Sequence, residues 1–217
     1  MINLKLGWYF IVSVDGVESV TLPDGTVVTF AEDMVLYRPI RSHEDYLSLQ
    51  RDINAIGDWI ARLHLQFSGN KCKYMIILRK QTCLTPHAML LNSLSLERVS
   101  AYKYLGLHIS SDLFWSIHIK TMCNNARKLV GMFHRRFFSI MDANINKHLY
   151  IAYFRPHLEY ACQIWDPYLI KDIHAVESVQ KFALRACSKQ WAALYQSLLS
   201  SFNLPELAAR NCVQCTS

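Results

Sequence analysis

Short runs of β-forming residues, separated by turn residues, recur over the first 110 positions. The runs 17–22 and 26–30 lie on either side of the turn residues 23–25, and a further run follows at 34–38. This pattern predicts β-hairpins. The apolar stretch 6–14 fits either a strand or the end of a buried helix. Later β-forming runs predict strands over 73–78 and 98–109, with a hairpin at 91–96 between them.

After the first β-forming runs, the apolar positions recur at the spacing of a helix. Ser42 resembles an N-cap, and Glu44 and Asp45 occupy a first turn where the helix dipole favours acids. Apolar residues then recur at helical spacing to residue 63, so a helix is predicted over 44–63. Further amphipathic helices are predicted over 115–137, over 145–160 with a break at Pro156, over 171–189 and over 197–207. We therefore expect an α+β fold, with strands and one helix in residues 1–110 and an all-α domain in residues 111–217.

Charge is distributed unevenly between these two halves. Residues 1–100 hold ten Lys/Arg and ten Asp/Glu, whereas residues 101–217 hold thirteen and seven, so the whole net charge of +6 lies in the second half. A basic excess confined to one domain points weakly to nucleic acid. On charge alone, an ordinary solvated surface is an equally good explanation.

The seven cysteines are odd in number and scattered along the chain. They therefore do not form a complete disulfide framework, and a reducing compartment fits better than secretion. Cys212 and Cys215 form a C-x-x-C pair, but a zinc site needs a second pair of ligands, so two cysteines in a tail is the favoured interpretation. The apolar stretch 6–14 is too short to span a bilayer and lacks a signal-peptide cleavage pattern.

Two adjacent acids, Glu32 and Asp33, stand between the two strands of the predicted hairpin at 26–38. Carboxylates on a rigid hairpin suit a two-metal site, in which two divalent ions bind the attacking and leaving oxygens. Acids are also common at turns for simple reasons of solvation. From this segment alone, the turn explanation is the stronger one.

Six motifs in order resemble the reverse transcriptases of LINE-type (non-LTR) retrotransposons. "TFAEDMVLYRPI" resembles the catalytic hairpin, which in that family reads Y/F-A-D-D, and "DYLSLQRDINAIGDWIARLHLQF" resembles the helix after it. "NKCKYM" resembles the next motif, and "VSAYKYLGLHIS" resembles the F/Y-K-Y-L-G strand pair that grips the primer. "RPHLEYACQIWDPY" and "VESVQKFALRAC" resemble the thumb and the region beyond it. The resemblance covers most of the chain.

This resemblance implies part of a polymerase palm in residues 1–110 and a helical thumb in residues 111–217. The activity class it implies is RNA-directed DNA polymerase, with Mg²⁺ as cofactor, an RNA template and a DNA primer as partners, no membrane, and a location in the nucleus or cytoplasm. Glu32 and Asp33 would be catalytic and metal-binding, and Lys71, near the incoming nucleotide, would be catalytic as a general acid toward pyrophosphate. The residues expected to contact nucleic acid are Lys103, Lys120, Arg127, Lys128, Arg135 and Arg136.

Departures from the family pattern limit what activity we expect. Glu32 replaces the first aspartate of the family's hairpin, which moves the carboxylate by about 1.5 Å, and a misplacement of about 1 Å can cost on the order of a hundredfold in rate. The sequence "LKLGWYFIVSVDGVESV" resembles the tail of the helix-containing motif before the hairpin, but its P-Q-G core is missing. We therefore expect the fingers and the first catalytic aspartate to be absent. The chain alone is then inactive, and it does not bind Mg²⁺ productively unless an unknown partner supplies the rest.

Two other interpretations stand beside an inactive polymerase fragment. The basic half fits a nucleic-acid-binding module without chemistry. The chain also fits the product of a decayed element with no function, because an incomplete palm would expose apolar surface.

Overall fold

A computed structural model describes residues 7–13, 26–30, 33–62, 72–77, 88–138 and 140–207 of the chain. The chain divides into two compact units, Met1–Phe114 and Trp115–Ser217, whereas the sequence pattern predicts a boundary near 110–113. Each unit is described by itself. The first contains strands and one helix, and the described residues of the second contain helices and no strand. The fold is therefore mixed α+β.

Nine strands lie in the described residues of the first unit. They are β1 (Gly7–Ser13), β2 (Thr26–Phe30), β3 (Asp33–Pro39), β4 (Lys73–Ile77), β5 (Leu90–Leu91), β6 (Leu94–Ser95), β7 (Glu97–Arg98), β8 (Ala101–Tyr104) and β9 (Leu107–Ser110). Five of them form one sheet in the order β2-β3-β1-β4-β7. The central strand β1 is antiparallel to both β3 and β4, and β7 runs parallel to β4.

The predicted hairpin between runs 26–30 and 34–38 is confirmed, with Phe30 opposite Asp33. The ambiguous stretch 6–14 forms a strand over residues 7–13. Of the two alternatives that the sequence left open for this stretch, the strand is therefore found, and its backbone hydrogen bonds go to two neighbouring strands. The predicted partner strand before Pro23 lies outside the described residues.

Helix α1 (His43–Arg62) matches the predicted helix 44–63 closely, and its start is built by a reciprocal cap. The Asp45 backbone N–H donates to Ser42 Oγ at 3.2 Å, and Asp45 Oδ2 accepts the backbone N–H groups of Ser42 and Arg41 at 2.9 and 2.8 Å. Such a cap satisfies N–H groups that have no partner inside the helix. These bonds, the one to Arg41 foremost, hold the pKa of Asp45 below its usual value.

One face of the sheet packs against α1. Met34 and Leu36 of β3 share a buried cluster with four residues of α1, namely Leu49, Ile53, Ile56 and Ile60. A buried ion pair crosses the same interface, where Arg38 Nη2 lies 2.7 Å from Asp52 Oδ2. Residues alternate between the two faces of a strand, so Asp33 lies on the face of β3 opposite α1.

Two small hairpins complete the first unit. The predicted hairpin at 91–96 is confirmed as β5–β6, and its two turn residues, Asn92 and Ser93, both have positive φ, as a tight two-residue hairpin turn requires. Strands β8 and β9 form the second hairpin, with Tyr104 opposite Leu107. Gly106 in its turn has a φ of 84°, a conformation that favours glycine.

The second unit is a set of packed helices. They are α2 (Ser116–Phe133), α3 (Ala143–Leu149), α4 (Arg155–Glu159), α5 (Cys162–Trp165), α6 (Ile170–Ser188) and α7 (Tyr195–Phe202), with π-helical segments at His134–Phe138 and Tyr150–Phe154. The kink or break predicted at Pro156 takes the form of a change in helix type, since the second π-helical segment passes directly into α4 just before Pro156 and the backbone stays helical. The last helix ends earlier than the predicted residue 207, because Asn203 takes a left-handed conformation (φ 49°) that commonly ends helices.

A buried polar network joins α7 to α6. Gln180 is fully buried, accepts a hydrogen bond from the Tyr150 hydroxyl at 2.7 Å, and donates to the Tyr195 hydroxyl at 2.9 Å. The Tyr195 hydroxyl in turn donates to Glu177. Burial first, and then the bond to Glu177, raise the pKa of Tyr195. Among the described residues, no helix combines the length and the apolar character needed to cross a bilayer.

Candidate functional site

Asp33 marks one end of the five-stranded sheet. It is the first residue of β3, lies opposite Ser13 at the end of β1, and is partly exposed. Residues 31 and 32 lie outside the described part of the chain, so the predicted metal ligand Glu32 has no described position. Asp33 is the member of the acidic pair that the structure describes.

Lys73 lies on the same face of the sheet as Asp33. Val35 and Lys73 are both register partners of Ile11 in β1, and directly opposed residues of an antiparallel pair share a face. Val35 and Asp33 are two residues apart on β3 and so share that face as well. Because β3 and β4 both run antiparallel to β1, Asp33 and Lys73 also begin their strands at the same end of the sheet.

The hairpin β8–β9 brings two tyrosines near this end. Burial first, and then the negative charge of Asp33, raise the pKa of Tyr102 and that of Tyr104. Lys73 acts in the opposite direction on the pKa of Tyr102. The Tyr102 phenol therefore lies within electrostatic reach of the Asp33 carboxylate and the Lys73 ammonium group, and the Tyr104 phenol lies within reach of Asp33.

Lys103 is placed differently from the tyrosines on either side of it. It is exposed, whereas Tyr102 and Tyr104 are partly buried, as expected when neighbouring side chains of a strand point to opposite faces. The sequence prediction singled out Lys103 for nucleic acid. On this strand, the charge of Asp33 acts on the two tyrosines. They were not predicted as site residues.

Lys71, the lysine predicted to lie near a nucleotide, is outside the described residues. Lys73 is the described lysine at this end of the sheet, and its Nζ lies 2.9 Å from Glu97 Oε2.

The described residues do not fit the metal site that the resemblance implies. Within this part of the chain, no group of three or more His, Cys, Asp or Glu residues is arranged to hold a metal ion. A two-metal centre needs several carboxylates around ions roughly 4 Å apart. The described carboxylate of Glu97 is already paired with Lys73. The chemistry that these residues support is recognition by charge and hydrogen bonding. Cys212 and Cys215 also lie outside the described residues.

A basic surface lies on α2 and the π-helical segment that follows it. The side of α2 around Ile119, Met122, Ala126 and Val130 is buried, whereas Lys120, Arg127, Lys128, Arg135 and Arg136 are exposed. No acidic residue occurs between Asp112 and Asp142. This stretch is called the basic helix face below, and it brings together the five second-half residues predicted to contact nucleic acid.

The members of the basic helix face differ in how they are held. Arg127 Nη2 donates to Ser178 Oγ of α6 at 2.7 Å, which holds Arg127 against the neighbouring helix. Arg135 Nη1 lies 3.6 Å from the point that a Cβ on Gly131 would occupy, so the guanidinium lies over the last full turn of α2. Lys120 and Lys128 are eight residues apart, which is about 12 Å along a helix, and they extend from its exposed side.

No protein-family model, curated protein or solved structure matches this chain.

Proposed function

We propose that this chain is the end of the palm and the thumb of a non-LTR retrotransposon reverse transcriptase. We further propose that by itself it binds a template–primer type of nucleic-acid duplex without extending the primer. The first part rests on the six ordered motifs and on the position of Asp33. The second part rests on the basic helix face and on the departures of the sequence from the family pattern, at Glu32 and at the missing P-Q-G core.

One observation carries the family assignment beyond the motifs. Asp33 lies at the end of a β-hairpin, on the sheet face that α1 leaves uncovered, and its charge reaches Tyr102 and Tyr104 of the Y-K-Y-L-G hairpin. Asp33 belongs to the motif that resembles the catalytic hairpin, and Tyr102 belongs to the motif that resembles the primer-gripping strands. These two residues are 69 positions apart in the sequence. Their convergence on one end of the sheet supports a polymerase palm, because such a site must hold a primer end beside its carboxylates.

Duplex binding follows from the charge of the second unit. Lys120, Lys128, Arg135 and Arg136 stand on a stretch without acids, so a polyanion approaching it meets no like charge from that stretch. Each phosphate neutralised by a lysine or arginine releases condensed counterions, and this release supplies affinity that does not depend on base sequence. The expected binding is therefore nonspecific and strongly dependent on salt.

The duplex proposal is tested with a labelled RNA–DNA hybrid and fluorescence anisotropy over a range of salt concentrations. In the variant Lys120→Ala/Lys128→Ala, affinity falls at low salt and the slope of log K against log salt becomes shallower by about 2, since each lost phosphate contact removes about 1. The matched control is Lys171→Ala, which removes an exposed lysine of α6 outside the basic helix face. Equal slopes for the wild type and the double variant would refute the role of this face.

Primer extension tests the second claim on the same hybrid. With Mg²⁺ and all four deoxynucleotides, the wild-type chain is expected to leave the primer unextended. The variant Glu32→Asp restores the family's acidic pair, and it is also expected not to extend the primer, because one methylene does not supply missing ligands. Extension by the wild type would overturn the inactive assignment. Extension by the variant alone would locate the defect at residue 32.

A further inference from the structure

The two π-helical segments of the second unit pack on each other through aromatic rings. The Phe154 ring lies 5.9 Å from the Phe138 ring and 5.0 Å from the Phe133 ring, in edge-to-face arrangements. Phe138 and Phe154 are almost completely buried. Edge-to-face pairs at these distances stabilise their own geometry, so the two segments hold a defined position relative to each other.

Each π-helical segment leaves one aromatic ring at the surface. Phe137 is 40% exposed and Tyr153 is 55% exposed, and both contact the same ring, since Phe133 lies 5.4 Å from Phe137 and 5.8 Å from Tyr153. The two exposed rings are thus supported by a shared aromatic residue above the buried pair. π-helical turns inside helices occur frequently at functional sites, and here both such turns contribute one ring to the same place.

The π-helical segment that carries Phe137 also carries two exposed arginines. Arg135 and Arg136 immediately precede Phe137, and no acidic residue occurs in sequence between Asp112 and Asp142. Guanidinium groups bind phosphate oxygens in a fixed fork geometry and also stack on planar rings. The segment therefore carries two groups that can bind a sugar–phosphate backbone and a ring that can bind the face of a base.

We propose that Phe137 and Tyr153 form a stacking platform for unpaired bases of a single-stranded nucleic acid, with Arg135 and Arg136 binding its phosphates. Bases inside a duplex have no free faces to offer, whereas unpaired bases stack on aromatic side chains with little dependence on sequence. A protein partner would not need the arginines and rings together, and the charge complementarity favours a polyanion. This inference rests on the rings and not on the polymerase assignment.

The test is the affinity of the full chain for a labelled single-stranded oligoribonucleotide of mixed sequence, measured by anisotropy. Phe137→Ala and Tyr153→Ala are each expected to weaken binding about tenfold, within the range measured for one base–aromatic contact. Tyr168→Ala, which removes an exposed tyrosine outside both π-helical segments, is expected to leave the affinity unchanged. An abasic strand of the same length is expected to bind weakly and to respond to neither ring variant.

A second pair of variants separates stacking from folding. Tyr153→Phe keeps the ring and is expected to bind like the wild type, whereas Tyr153→Leu keeps apolar volume and is expected to lose affinity like Tyr153→Ala. If Tyr153→Phe and Tyr153→Leu weaken binding equally, the stacking proposal is overturned. The same holds if the abasic strand binds as tightly as the normal strand.

The RNA–DNA hybrid distinguishes this inference from the proposed function. Ring variants are expected to leave hybrid binding unchanged, and Lys120→Ala/Lys128→Ala is expected to weaken it. Loss of hybrid and single-strand binding in equal measure on ring replacement would refute the platform. Single-strand binding through the rings, without hybrid binding through the basic helix face, would refute only the duplex proposal.

Discussion

The ion pair between Arg38 and Asp52 offers a sharp test of what attaches α1 to the sheet. Both side chains are buried, at 9% and 2% exposure, and their atoms approach to 2.7 Å. Replacement of Asp52 by Leu removes the carboxylate that accepts from the Arg38 guanidinium and leaves that buried group charged. Arginine does not lose its charge to relieve this, because its guanidinium is not deprotonated in proteins.

The expected cost is large for a single substitution. Breaking a buried ion pair on one side typically destabilises a protein by about 3–5 kcal/mol. With an m-value of about 2 kcal/mol per molar urea, the unfolding midpoint of the first unit falls by about 1.5–2.5 M. Replacing both partners, as in Arg38→Met/Asp52→Leu, removes the buried positive charge together with its carboxylate partner, so the double variant is expected to be near wild type or more stable.

Urea unfolding followed by far-ultraviolet circular dichroism measures these midpoints, and hydrogen exchange of the α1 amides assigns the change to the first unit. The matched control is Asp58→Leu, which removes an exposed acid from the same helix and is expected to change stability by no more than about 0.5 kcal/mol. A midpoint shift for Asp52→Leu as small as that of the control would show that Arg38 reaches water without its partner. That result would refute the reasoning.

Two further predictions concern local hydrogen bonding. Because the folded-state pKa of Asp45 lies below its usual value, its cap stabilises the fold at neutral pH and this stabilisation is lost as pH falls through that lowered pKa. The stability advantage of the wild type over Asp45→Asn in urea titrations is therefore expected to shrink below about pH 4, and an advantage that grows with acid would contradict this. In the second unit, Gln180→Leu removes the acceptor of the Tyr150 hydroxyl and is expected to cost about 1–3 kcal/mol. Thermal melts should then show a lowered midpoint, and an unchanged midpoint would show that the hydroxyl finds another partner.

Local patterns in the sequence predicted most elements within a few residues. Helix α1 was expected over 44–63 and is found over His43–Arg62, because its cap and its apolar period are properties of neighbouring residues. The hairpins at 26–38 and 91–96 were predicted for the same reason. Residues 6–14 could not be assigned, since a run that is apolar at nearly every position has no period to distinguish a strand from a helix.

The candidate site was predicted less completely than the elements that carry it. The motif predicts Asp33 as a site residue. On β8 the sequence predicts Lys103 as a site residue, but not Tyr102 or Tyr104 on either side of it. Alternation along β8 separates the tyrosines from the lysine, and this can be read from the sequence. Which of the two sides comes near Asp33 depends on how the β8–β9 hairpin packs, and no local pattern contains that information.

The two π-helical segments show the same division. The order of apolar and basic residues in 115–160 was enough to predict helices, a basic exposed side and a break at Pro156, because period, charge and the missing proline N–H act between near neighbours. The π-helical turns, and the meeting of Phe137 and Tyr153 over Phe133, arise from ring packing between segments that are far apart in the chain. Neighbouring residues therefore determine elements and exposed charge, whereas contacts distant in sequence determine which side chains form a surface that can bind a ligand.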